Sequence, residues 1–263
     1  MIRRRAALLD ALLALGASVA PGMTSCARAS ASVDAHAMKG APLRMAMTEF
    51  PPYTGTDLPG GGIATVITRT VLARQGLEMS ASVRPWARAL SETQEGVFDG
   101  LIGVWRNAER ERTLLFPRPL GITNRIGFMA RAGTSITVND LKQLRRLTIG
   151  VVNGYANPLA IEEAQLRLEP AVDDLRNLRK LLLGRIDLAL IDKGVAHYLL
   201  QTQLPTGLTE LTWLEPSVTE TPLYAALSRR SPEALARVAE FNLGLDKIHK
   251  DGELDQLLKS FSG

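Results

Sequence analysis

The residues best placed to do chemistry lie between Phe98 and Phe116, in FDGLIGVWRNAERERTLLF. An apolar run gives way to Trp105, Arg106, Arg110 and Arg112 before Leu114-Leu115-Phe116 closes the stretch. A short strand ending in aromatic and guanidinium groups is how an open α/β sheet presents a ligand site at its carboxyl edge. Other chemistry is thinly represented. The three histidines, His36, His197 and His249, have no partner at metal-ligand spacing, and Cys26 is the single cysteine, so neither a metal nor a disulfide is expected. Gly60-Gly61-Gly62 lacks a following Lys-Ser or Lys-Thr and reads as a turn rather than a phosphate loop. No catalytic constellation and no cofactor motif emerges, which favours binding over catalysis.

The surrounding elements must carry these groups to one place. Leu43 to Met47 reads as a strand that cannot continue through Pro51-Pro52, so the chain turns out of the sheet there. That turn leaves Phe50 and Tyr53 near the carboxyl edge, as ligand contacts or as a loop plug. A helix from Ile63 to about Arg74 ends at Gly76, and a strand follows at Met79 to Val83. Arg84-Pro85-Trp86 opens the next helix with proline at its first position, Trp86 facing cleft or core. Beyond Phe116 the pattern predicts a strand at Arg125 to Arg131, a short helix at Asp140 to Leu144 and a strand at Leu147 to Val152. An Asn153-Gly154-Tyr155 turn and helices at Asn157 to Leu166 and Leu175 to Leu183 come next. A strand from Arg185 then ends at Asp192 before a helix from about Gly194 to Leu200. Asp192 can serve a ligand or cap that helix. A last strand at Pro222 to Leu227 precedes helices at Pro232 to Ile248, capped by Ser231, and Gly252 to Phe261.

Alternating strands and helices imply parallel sheets covered on both faces. The run of helix, Gly96, two residues, Asp99 and apolar strand is echoed by Gly184, two residues and Asp187, which suggests two α/β lobes with a cleft between them.

A length of 263 residues allows one large domain or two modest ones, and 46% hydrophobic with 22% charged residues describes a soluble globular chain. Residues 1–31 read as a signal peptide, with Arg3-Arg4-Arg5, an apolar run from Ala6 to Ala20 and a small-residue site at Ala29-Ser30-Ala31. They hold four basic residues and one acidic residue, so of the net +4 only about +1 belongs to the remainder. No basic patch remains for nucleic acid. Met23-Thr24-Ser25-Cys26 resembles a degenerate lipobox, which leaves simple secretion and a lipid anchor at Cys26 both open.

The order of Pro51-Pro52-Tyr53, Arg84-Pro85-Trp86, Phe98-Asp99-Gly100, Glu109-Arg110, Phe116, Asn153-Gly154 and Ile186 to Asp192 resembles the family 3 extracellular solute-binding proteins. These are periplasmic receptors of ABC importers for polar amino acids. The resemblance runs from about Leu43 to the C-terminus. It implies a type II periplasmic-binding-protein fold of two lobes that close on a ligand. The implied lobes are 43–128 with 226–263, and 129–225, joined by hinge strands near Phe128 to Arg131 and Tyr224 to Leu227. It further implies that Arg110 clamps a ligand carboxylate, that Asp192 takes an ammonium, and that Trp86 and Phe50 sandwich the ligand side chain.

The departures concern specificity. Ile102 and Trp105 stand where the family commonly has hydroxyl groups, with Gly103 still able to offer its backbone. Tyr155, followed by Ala156, replaces a threonine. The pocket is therefore expected to be tighter and more aromatic than an ordinary amino-acid site. The implied partners are a small carboxylated, amino-acid-like solute and an inner-membrane ABC permease, with the receptor a periplasmic monomer. Two other readings share the fold. One is a cyclohexadienyl dehydratase-like enzyme using Glu49 or Asp192 as the acid; the other is a protein that presents its ligand to a sensor.

Overall fold

The structure, a computed structural model, describes residues 41–260. The expected signal peptide, with Cys26, lies outside the described residues.

The first half opens with β1 (Leu43–Met47), whose buried face carries Met45 and Met47 into the core. Then come α1 (Ile63–Ala73), β2 (Met79–Val83), α2 (Trp86–Gln94), β3 (Gly100–Val104) and the short β4 (Leu114–Leu115). Pro85 is the cap of α2 rather than its first residue: its ψ of 140° is extended, and the helical turns begin at Trp86. The second half comprises β5 (Thr123–Arg131), β6 (Thr148–Val152), α3 (Leu159–Glu163), β7 (Arg167–Ala171), α4 (Asp174–Leu182), β8 (Leu188–Asp192), α5 (Lys193–Thr202), α6 (Gly207–Glu210) and β9 (Leu211–Pro222). The chain finishes with β10 (Tyr224–Ser228), α7 (Ala234–Lys250) and α8 (Glu253–Ser260). Ser231 does not cap α7, whose capping position falls at Glu233; the Ser231 hydroxyl reaches Asp99 Oδ1 at 3.3 Å instead.

These strands form two five-stranded sheets, ordered β2-β1-β3-β10-β4 and β7-β6-β8-β5-β9. Both are mixed rather than parallel. β1 pairs parallel with β2 and β3, and β6 with β7 and β8, but β10 runs antiparallel to β3 and β4, and β5 antiparallel to β8 and β9. The antiparallel members are those next to the crossings between sheets. Phe128 to Arg131, expected to make the first crossing, lies wholly within the second sheet. The chain crosses earlier, where Leu120 donates to the Leu223 carbonyl and Leu223 to the Ile122 carbonyl, both at 2.9 Å. The second crossing is thus Leu223, just before β10 rather than inside it.

Met45, Ile67, Leu72 and Phe241 are buried between the first sheet and its helices, with α7 returning against α1. Phe128, Ile149, Ile161, Leu188 and Leu190 form a second cluster around β5, β6 and β8. At the usual value of roughly 25 cal/mol per Å2 of apolar surface removed from water, such clusters supply the main stabilising term for each half. Both halves turn their strand ends toward a common seam, where the candidate site lies. Among the described residues no helix is long and apolar enough to cross a membrane.

Candidate functional site

Arg110 is the centre of the seam. It begins a short 3-10 turn, Arg110–Arg112, fixed by Asn107, whose Oδ1 accepts the Arg110 backbone N–H at 2.8 Å. The side chain is 3% exposed. Nη1 donates to the Trp105 carbonyl at 2.7 Å, Nη2 to the Gly154 carbonyl at 3.2 Å, and the guanidinium carbon stacks 4.8 Å from the Trp86 ring centre. No described carboxylate pairs with it. Burial lowers its pKa to about 10, so the group stays charged at neutral pH. Arg106, by contrast, remains at the surface with Glu111 at 2.6 Å.

Around this cation stand aromatic rings from both halves. Tyr155, from the turn after β6, projects into the first half. Its ring centre lies 5.4 Å from Trp105, 5.6 Å from Trp86 and 6.1 Å from Phe50, all edge to face, the favourable arrangement for ring quadrupoles. Its hydroxyl donates to Asp174 Oδ2 at 3.2 Å, and burial holds it protonated, far above its ordinary value. The cavity bounded by Thr48, Phe50, Trp86, Gly103, Trp105, Arg110 and Tyr155 measures about 10 Å3, room for about one water. Gly103 lines it at a φ of +79°, left-handed backbone that glycine tolerates, and a Cβ there would stand 3.3 Å from Thr54 Cγ2.

Asp192 is 1% exposed at the end of β8. Oδ1 accepts the Val195 N–H at 2.9 Å, capping α5, and the Tyr53 hydroxyl at 2.9 Å; Oδ2 accepts the Arg125 N–H at 2.9 Å. Burial raises its pKa, while the Val195, Tyr53 and Arg125 donors oppose that shift. The capping role and the place at the seam therefore coincide. Gly194 permits the approach of Tyr53: a methyl group there would collide with the tyrosine hydroxyl and lie 3.1 Å from Asp192 Oδ1.

Arg110, Trp86, Phe50, Trp105, Gly103 and Tyr155 share the small cavity, whereas Asp192 and Tyr53 lie beside it. Asp192 lines an adjoining cavity of about 10 Å3 with Trp105 and Tyr155, and Tyr53 packs its ring 5.3 Å from Phe50. Ile102 is fully buried in the core behind the site. Glu49, the alternative acid, accepts the Thr56 hydroxyl at 2.6 Å and its N–H at 3.0 Å.

Three participants were given no site role from the sequence. Thr48 follows β1 and lay within reach of the same strand-edge argument. Gly154 accepts from both Trp86 Nε1, at 2.7 Å, and Arg110. Asn124 is wholly buried, accepts Trp105 Nε1 at 2.7 Å, and its side-chain amide neighbours Asp192 and Tyr53, acting to lower the pKa of both against the rise that burial causes. A single polar side chain in an otherwise ordinary strand gave no signal.

Among the described residues four side-chain hydrogen bonds thus tie the halves across the seam: Trp86 and Arg110 to Gly154, Tyr53 to Asp192, and Trp105 to Asn124. Among the described residues no three carboxylate, imidazole or thiol groups gather as metal ligands.

A sequence comparison with curated proteins finds no match. Solved structures match closely in fold. The chain is similar to a histidine kinase sensor domain with similarity to periplasmic binding proteins, at TM-score 0.74 and 20% identity, covering 84% of this chain and 96% of that one. It is also similar to the arginine-, lysine-, histidine-binding protein ArtJ from Geobacillus stearothermophilus, at TM-score 0.72 and 17% identity over 84% and 95% of the two chains. A third is an ancestral amino-acid-binding protein, a precursor of cyclohexadienyl dehydratase, at TM-score 0.68 and 18% identity over 84% and 94%. These likenesses establish the two-lobe type II fold. Residues 43–263 match the family as a whole, and the chain belongs to the bacterial extracellular solute-binding proteins, family 3.

Proposed function

We propose that this solute-binding protein is exported to the periplasm and captures a small organic carboxylate, amino-acid-like in character, between its two halves for delivery to an ABC permease. The observation that carries the reading is Arg110: a buried guanidinium with no carboxylate of its own, satisfied by two backbone carbonyls and a tryptophan face. Burying a charge without a counter-charge is costly, and a ligand carboxylate held by two parallel bonds would offset that cost. The Gly154 carbonyl occupies one of the donors such a ligand would use.

With only about 10 Å3 beside Arg110, the ligand enters when the halves part and Tyr155 withdraws. An ammonium group on the ligand would take the place of the Tyr53 hydroxyl at Asp192. Trp86 and Phe50 would pack against the rest of the molecule. No catalytic role is assigned in this reading, in which Asp192 serves binding.

The test is a thermal-shift screen over amino acids, opines, polyamines and small carboxylates, because a ligand that binds only the native state raises its stability by RT ln(1 + [L]/Kd). At least one carboxylate should raise the melting temperature, and Arg110→Ala should abolish that response. Retained affinity in Arg110→Ala would remove the clamp from the account. Turnover of prephenate with no shift from any carboxylate would move the assignment to the dehydratase. A ligand response without affinity for a permease would favour sensing.

A further inference from the structure

A larger cavity opens along the same seam, separate from Arg110. It measures about 420 Å3 and takes Glu49, Thr56 and Asp57 from the first half and Asp173, Asp174 and Leu199 from the second. Four of its ten lining residues are carboxylates, and none is a lysine or arginine.

Their existing partners do not account for all four. Glu49 is held by Thr56, and Asp173 caps α4 through the Arg176 N–H at 2.7 Å and pairs with the Arg176 guanidinium at 3.6 Å. Asp57 is exposed and has no hydrogen bond or ion pair with a described residue. Asp174 is 4% exposed, accepts the Tyr155 hydroxyl at Oδ2, and has an Oδ1 with no hydrogen-bond partner among the described residues. An unsatisfied buried carboxylate oxygen is a standing cost, and the neighbouring Asp173 in the same wall adds to it by repulsion.

The walls also set the kind of cation that would relieve this. Metal-ligand gathering is absent among the described residues, so the charge is spread over the cavity rather than focused on a point. Pro51, Leu175 and Val195 add apolar lining. We infer that this cavity binds an organic cation with an apolar stem, an alkylammonium or guanidinium compound, which joins the two halves by pairing with carboxylates from both. This does not rest on the reading of Arg110, since the cation would need no carboxylate.

Burial raises the pKa of Asp174 to about 7; Asp192 and Asp173 add to the rise, and Tyr155 opposes it. Glu49 and Asp57 are the other charged groups at this cavity. A bound cation favours the ionised carboxylate, so affinity should increase from pH 6 to pH 8.

The experiment is titration calorimetry of 1,5-diaminopentane against the mature protein in low-salt buffer at pH 8 and pH 6. The variants are Asp57→Asn, whose side chain is exposed and whose replacement leaves the core untouched, and Asp255→Asn, an equal charge change on α8. Saturable binding at pH 8, weaker at pH 6, is expected. Asp57→Asn should weaken it about five-fold and Asp255→Asn by less than about two-fold. No binding to the unaltered protein would overturn the proposal. So would equal losses in the two variants, or an equal response to magnesium chloride, both of which mark general charge screening. Because the probe carries no carboxylate, failure here leaves the Arg110 reading standing, and failure of Arg110 to bind carboxylates leaves this one standing.

Discussion

In the first half, Asp99 follows Gly96 by three residues, and its Oδ2 accepts the backbone N–H of Arg44 at 2.9 Å. In the second, Asp187 follows Gly184 by the same interval, and its Oδ2 accepts that of Thr148 at 2.8 Å. Each aspartate also donates its own N–H to the carbonyl of the residue it holds. The two carboxylates therefore pin β1 and β6 at equivalent places, and the sequence echo has a common physical cause. At the other end of the strands the halves diverge. Beyond β3 the first half presents the buried cation Arg110, while β8 ends in the buried carboxylate Asp192, with Asp174 nearby on α4. The lesson is that the repeated part of the plan builds the sheets and the unrepeated part builds the site.

pH separates the two sides of this comparison most strongly. Arg110 remains charged below about pH 10, so it contributes little change between pH 4 and pH 8. Asp174 behaves differently, with a folded pKa of about 7 against an ordinary 3.8. The folded state holds a proton that the unfolded chain gives up earlier. Its contribution to stability is full below about pH 4 and is lost as pH rises through about 7, up to about 4 kcal/mol. Asp192, also raised, acts in the same direction. Urea unfolding at pH 4, 6 and 8 should show Asp174→Asn gaining on the parent protein as pH rises. A constant difference across that range would break the assignment of this sensitivity to the second half.

Asp192→Ala comes next in size. It strands the Val195 and Arg125 N–H groups and the Tyr53 hydroxyl, a lost helix cap together with unsatisfied donors, for about 3 kcal/mol. Equilibrium denaturation measures it, and a loss under about 1 kcal/mol would mean the carboxylate serves ligand alone. Asp99→Ala and Asp187→Ala each leave one strand N–H without its acceptor and should cost about 1–2 kcal/mol apiece, Asp99 slightly more because its carboxylate also meets the Arg44 guanidinium and the Ser231 hydroxyl. The equivalence predicts similar losses, with ligand affinity unchanged. A large disparity between the two would show the echo to be sequence coincidence.

Much of this plan was legible because β1, β2, β3, β6 and β8 combine apolar runs with glycine-closed helices. The three strands with no counterpart in the sequence reading are all sheet edges: β4 in the first sheet, and β7 and β9, the two edges of the second. Edge strands face solvent on one side and need no apolar alternation; β7 carries Pro170, and β9 carries Pro216 among polar residues. Missing β9 also displaced the predicted crossings, since a chain without that strand leaves β5 free to serve as the hinge. At the site, Arg110 and Trp86 stood out by residue type. Asn124 and Gly154 did not, because an ordinary strand asparagine and a turn carbonyl gain meaning only once the halves meet. The acidic cavity was equally hidden, its carboxylates coming from segments more than a hundred residues apart.

Tyr53→Phe is the smallest and most discriminating change. It removes one hydroxyl from the first half and leaves Asp192 its two backbone donors, so the unliganded protein should lose about 1 kcal/mol or less. Ligand affinity should move the other way if an ammonium replaces that hydroxyl at Oδ1. The variant no longer has a bond to give up, and the freed carboxylate gains more from the incoming charge. Carboxylates without an amino group should show no such gain. Comparing an amino acid with its deaminated analogue on both proteins therefore reads Asp192 apart from Arg110. Equal changes for the two compounds would leave Asp192 as the fastening of the seam and Arg110 as the sole charged contact of the ligand.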